Sequence, residues 1–148
     1  MARLAQFVEA RIWNPGRSPV QLTSARAYAI KTPPPNLGGV FWFFVRLETD
    51  SGLVGWGECA VLFSMYGLDR SFAQLVEDNF ARYLAGQNPL NRDALTKRMY
   101  EGLTSQNAGY FSAGVISAFD LAMWDICGKH FEADRKSTRL NSRHMSES

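Results

Sequence analysis

Residues Phe41–Ala60 read FWFFVRLETDSGLVGWGECA, and their period decides the fold. Phe41, Phe43, Val45 and Leu47 fall on one side of a strand, and Trp42, Phe44, Arg46 and Glu48 on the other. Thr49-Asp50-Ser51-Gly52 supplies a turn, with Gly52 free to take a positive φ. The return strand, Leu53–Ala60, puts Gly55 and Gly57 on one face and Val54, Trp56 and Glu58 on the other. Two glycines on one strand face leave a strip that another backbone can approach closely. The first strand is apolar on both faces, unlike a hairpin with one face in water. The hairpin is therefore expected to be covered on both sides.

Upstream, a strand starts at Leu22, where Ala25, Ala27 and Ala29 alternate with Arg26, Tyr28 and Ile30. Thr32–Gly39, TPPPNLGG, ends it as a loop that is stiff and then flexible. Strand, loop and hairpin make a three-stranded antiparallel meander. Downstream, Val61–Leu68 is a second loop, with an apolar tip of Leu62, Phe63, Met65 and Tyr66. A helix is predicted from an Asp69 N-cap to about Ala85, with Phe72, Leu75, Val76, Phe80 and Tyr83 near one stripe and Gly86 as its stop. Pro89 opens a second helix over about Leu90–Glu101, with Leu95, Met99 and Tyr100 facing inward. A third, roughly Ser112–Lys129, is apolar nearly all round and is expected to need a further covering layer. The fold class is thus α+β: a β-meander followed by about three helices.

The 148 residues are 46% apolar and 13% aromatic, enough for a packed core of one ordinary domain. The net charge of +2 sits in Asp134–Ser148, where Arg135, Lys136, Arg139 and Arg143 face Asp134 and Glu147. The balanced remainder argues against a nucleic-acid partner. Cys59 and Cys127 point to a reducing compartment, with cytoplasm as the expectation. No apolar run is expected to reach the ~18–20 residues of a membrane span.

Residues 1–21 read as an N-terminal extension with a short helix near Leu4–Ile12, arising from a start codon placed too early. Residues 22–133 form the domain. Beyond Ala133 the periodicity stops, and DRKSTRLNS at residues 134–142 matches the translation of a common sequencing adapter. Residues 134–148 are therefore read as a disordered, artefactual tail.

LETDSGLVGWGEC at residues 47–59 followed by SAFDLAMWDICGK at residues 117–129 resembles the amino-terminal domain of the mandelate racemase and muconate lactonizing enzyme group of the enolase superfamily. The likeness covers about Leu22–Phe131. It implies a capping domain that precedes a (β/α) barrel, and the barrel is missing from this chain. In such enzymes the barrel holds the acid/base residues and the carboxylates for one Mg²⁺, and the parent removes the α-proton of a carboxylate substrate. Dehydration of a sugar acid is the favoured parent reaction, with racemisation and cycloisomerisation open. A homo-oligomeric parent is expected, and no activity from this chain alone.

The resemblance assigns no catalytic or metal-binding residue here. It assigns substrate-capping loops instead, marked by Thr32, Pro33, Pro34, Asn36 and Gly38 in the first and Phe63, Met65 and Tyr66 in the second. Glu58 is expected to pack or hydrogen-bond at the domain interface, Asp120 and Asp125 to be structural, and Asp125 with Lys129 to form a plain i,i+4 pair. His130 and His144 lack ligand partners at metal spacing. A free-standing binding or oligomerisation module is the alternative reading of the whole chain.

Overall fold

The computed structural model describes residues 20–36, 39–59, 68–105 and 109–131. The expected extension and tail, Gly38 and the apolar tip of the second loop lie outside these residues.

Three strands form one antiparallel sheet in the order β1 (Leu22–Lys31), β2 (Phe41–Thr49), β3 (Val54–Cys59). The register follows the alternation: Ala27 sits opposite Val45, and Val45 opposite Gly57. Phe43, Val45 and Leu47 are buried on the inner face, with Ala25 and Ala27 packed beside them. The tight turn closes through Thr49 N–H to the Leu53 carbonyl (3.0 Å) and Gly52 N–H to the Thr49 carbonyl (3.1 Å). Gly52 takes φ +80°, the left-handed conformation the turn requires.

Two helices cover the inner face, and a third packs against them. α1 (Leu68–Asn79) runs on without a break into a wider π-helical turn, Phe80–Leu84, that packs Phe80, Tyr83 and Leu84 inward. Asp69 lies inside the first turn of α1 and does not cap it. Phe72 and Val76 are fully buried, and Phe72 meets Phe43 edge-on at 4.7 Å. Leu75, expected on the buried stripe, is exposed: the sheet covers an arc too narrow to reach it. Gly86 (φ +71°) ends the segment, and its N–H donates to the Leu22 carbonyl (2.9 Å), tying the helix end to the start of β1.

Pro89 starts a short 3₁₀ turn, Pro89–Asn91, capped by the Asn88 side chain accepting from Leu90 N–H (2.9 Å). α2 (Arg92–Thr104) follows, with Leu95 and Met99 buried. Tyr100, expected inward, is exposed. It lies ~100° round the helix from Met99, beyond the contact stripe.

α3 (Tyr110–His130) is the central helix. It lies against β3, where a Cβ on Gly57 would overlap the Ala118 carbonyl oxygen and one on Gly55 the Ala122 carbonyl oxygen. The fit is metrical. Four helical residues rise ~6 Å and two strand residues ~6.6 Å, so the Ala118/Ala122 pair stays in step with the Gly57/Gly55 pair. By length and composition α3 also reaches the membrane-span range, contrary to the expectation from sequence. Its seven buried residues and its seat on the sheet identify it as a core helix. Tyr110 and Trp124 remain exposed on it, so the helix is buried on one broad side and open on the other.

The outer face of the sheet is not covered by any described residue. Ile30, Trp42 and Trp56 are each about half exposed there (51%, 45% and 45%). The expected cover on both sides of the hairpin is therefore present on one side only among the described residues.

Candidate functional site

The antiparallel register sets the polarity of the domain. Lys31 pairs with Phe41 and Cys59 with Phe43. The β1–β2 connection and the chain leaving β3 therefore depart from the same end of the sheet. α3 runs antiparallel to β3, with Ala118 against Gly57 and Ala122 against Gly55, so its N-terminal half points to that end too. One end carries the β1–β2 connection and the exit from β3, and the opposite end carries the tight turn at Gly52 and the Gly86–Gln87 segment bonded to Leu22.

The first connection is internally braced. Thr32 is buried; its Oγ1 donates to the Gly39 carbonyl (2.5 Å), with Asn36 Oδ1 at 3.1 Å, and its N–H donates to the Val40 carbonyl (3.0 Å). Asn36 N–H donates to the Pro33 carbonyl (2.9 Å) and Gly39 N–H to the Asn36 carbonyl (3.0 Å). Asn36 holds φ +59°, and the Pro34–Pro35 bond is cis. Pro33, Pro34 and Asn36 are exposed at the tip. Thr32 thus faces inward and holds the loop's base, while the tip is what a ligand can meet. Gly38, Phe63, Met65 and Tyr66, the other residues assigned to capping, lie outside the described residues.

Three carboxylates, Asp120, Asp125 and Glu48, are committed to partners within the domain. Asp120 Oδ1 accepts from Arg92 Nη1 and from Thr96 Oγ1, each at 2.6 Å, joining α2 to α3. The Arg92 guanidinium also lies over the Trp124 ring, 4.3 Å from its centroid. Asp125 Oδ2 accepts the Trp56 backbone N–H (3.0 Å), and Lys129 Nζ donates to the Val54 carbonyl (2.7 Å). The pair is joined at 2.7 Å, so it does more than the plain helix pair expected: it occupies backbone groups on the free edge of β3. Glu48 Oε2 accepts from Ser24 Oγ (2.6 Å), and Oε1 meets Arg46. The Ser24 hydroxyl, and then the Arg46 guanidinium, hold the Glu48 carboxyl below its ordinary range. Glu58 is exposed on the outer face.

Burial pushes the Cys59 thiol up to about 12, and burial raises Cys127 as well. Neither is an activated nucleophile at neutral pH. His130 packs edge-on against Phe131 at 4.9 Å. Among the described residues, no three His, Cys, Asp or Glu side chains stand where they could hold a metal ion. The donor set here does not fit Mg²⁺.

Comparison with known proteins is consistent across three measures. The sequence model for the mandelate racemase / muconate lactonizing enzyme N-terminal domain matches residues 38–134. The chain is 36% identical over 89 residues to the D-galactarolactone cycloisomerase of Agrobacterium fabrum, which covers 60% of this chain and 22% of that protein. It is 35% identical over 97 residues to the D-galactonate dehydratase of Cronobacter sakazakii, covering 62% and 22%. Among solved structures, a mandelate racemase/muconate lactonizing enzyme from Sulfitobacter sp. superposes with a TM-score of 0.65 at 34% identity, covering 75% of this chain and 27% of that one. The chain spans about a quarter of the length of these relatives.

Proposed function

Because the chain belongs to the mandelate racemase / muconate lactonizing enzyme N-terminal domain family, we propose that it is the substrate-capping part of an enzyme acting on a sugar acid. The observation that carries this reading is the departure of both long connections from one end of the sheet. A body placed against that end meets the exposed Pro33–Asn36 tip near the point where the chain leaves β3 at Cys59. The apolar residues Phe63, Met65 and Tyr66 then serve to exclude water from a charged intermediate.

The chemistry belongs to residues outside this chain. A barrel would supply the acid/base groups and hold Mg²⁺, which when bound stabilises negative charge developing on a substrate carboxylate. The described residues supply no metal ligand set, so their part is to enclose and to select. Both named relatives act on galactose-derived acids or lactones by their names, which supports a sugar-acid substrate. Dehydration is the first reading; cycloisomerisation is the second, favoured by the relative from Agrobacterium fabrum. A cytoplasmic, homo-oligomeric parent completes the proposal.

Two measurements test it. The purified 148-residue chain with Mg²⁺ is expected to leave D-galactonate unchanged, and turnover would overturn the assignment of chemistry to a barrel. The source gene, read past the codon for Ala133, is expected to encode a longer enzyme in which Met65→Ala and Tyr66→Phe shift sugar-acid preference about tenfold in kcat/KM. Loop variants that change no kcat/KM would refute the capping role.

A further inference from the structure

A helix with one side in water normally carries charge on that side. α1 and α2 follow this rule: Arg70, Gln74 and Glu77 are exposed on the first, and Asp93, Lys97 and Glu101 on the second. α3 does not. Opposite its buried side, Tyr110, Ser117 and Trp124 recur every seven residues, and Phe131 continues the series just past the helix end. Such a series drifts by only ~20° per step, so it forms one stripe along the helix. All four residues are exposed, and Leu121 and Gly128, half-buried, fall between them. The stripe holds no charged residue. Arg92, beside it, stacks on the Trp124 ring at 4.3 Å, and its charge is met by Asp120.

The direction of α3 bears on what covers this stripe. The helix leaves the domain at the tight-turn end of the sheet, and its 21 residues span ~30 Å back to the end that carries Pro33–Asn36. The matched family model describes an N-terminal domain, and the chain spans about a quarter of its relatives' length, so in those proteins a large body follows α3. A polypeptide that leaves at Phe131 and also meets the Pro33–Asn36 tip has to run back along the domain. Among the described residues, two apolar surfaces lead there. The outer sheet face also carries Arg26, Arg46, Glu48 and Glu58, which lose water on contact. The α3 stripe demands no such loss, starts at the exit point itself and ends at Tyr110, at the loop end.

We propose that the stripe of Tyr110, Ser117, Trp124 and Phe131 is the docking surface for the rest of its own polypeptide. The part that follows residue 133 doubles back along α3 to reach the loop end. The proposal rests on the capping reading and adds to it the side of the domain that carries the contact. The three aromatic side chains are the anchors, and the small residues Ser117 and Gly128 between them leave room for an incoming backbone.

Hydroxyl-radical footprinting read by mass spectrometry tests this on the 148-residue chain and on the longer enzyme encoded by the source gene. Trp42, Trp56 and Trp124 are about equally exposed, so they are expected to label alike in the 148-residue chain. In the longer enzyme the labelling of Trp124 and Phe131 should be lost. A Trp124 as reactive as in the short chain overturns the proposal. A photo-crosslinking benzoylphenylalanine in place of the exposed Ser117 then identifies the occupant. The expected product is a link to residues beyond 133 of the same polypeptide, with no doubling of mass. A doubled mass, which would seat a second copy on the stripe, or no link at all, overturns it too. An enzyme that turns over its sugar acid with Trp124 still labelled keeps the capping reading and loses this one. A source gene with no reading frame beyond residue 133 loses both.

Discussion

At the scale of the residue, the two strand glycines do more than ease a bend. Gly55 and Gly57 exist as glycines because the backbone of α3 occupies the space a Cβ would need. Gly52 is different: it has open space around it and is needed only for its φ of +80°. The contrast gives a test. Gly57→Ala forces α3 off the sheet and is expected to destabilise by about 3 kcal/mol or more, near the upper end for overpacking. Gly52→Ala meets only left-handed strain and should cost about 1 kcal/mol. Urea titration of both variants separates the two mechanisms; equal losses would mean that α3 does not bear on Gly57. Both roles were legible in the sequence as positions for glycine. What approaches Gly57 was not, because Ala118 lies sixty-one residues away in the chain.

At the scale of the element, polar side chains decide how the helices are held. Asp120 takes hydrogen bonds from Arg92 and Thr96 while its side chain is only 22% exposed, and Arg92 is 19% exposed. Asp120→Ala leaves the guanidinium poorly satisfied between α2 and α3. A loss of about 2–3 kcal/mol is expected, checked by thermal melting, and a companion Thr96→Val should cost less. The sequence suggested a structural Asp120 and Asp125 but named no partners for Asp120 and read Asp125 only with Lys129. Helical spacing shows that Asp125 and Lys129 share a face; it does not show that the face meets the free edge of β3. Leu75 and Tyr100 illustrate the converse limit. Periodicity locates the centre of a buried stripe, while its width depends on what the neighbouring element covers.

At the scale of the whole molecule, one sheet face is packed by α1 and α3, with α2 against α3, and the other displays a half-exposed aromatic surface. Protection from hydrogen exchange should follow this asymmetry. The amides of β2, flanked by strands on both sides, and of the middle of α3 are expected to exchange slowest, and the exposed Ser51 amide in the tight turn among the fastest. Hydrogen exchange read by mass spectrometry checks this; uniform protection would contradict the layered packing. Of the candidate site, the sequence marked the two connections by their proline, glycine and apolar content. It did not show that Thr32 turns inward to brace the first of them. The strand alternation, the turn at Gly52, the stop at Gly86 and the α+β order were determined by sequence alone, because each depends on local backbone geometry and on a period within one segment. The tertiary structure alone decided that both connections leave one end of the sheet, which carboxylate meets which cation, and which aromatic face stays open. Those outcomes depend on the register between segments distant in the chain, and no local pattern encodes that register.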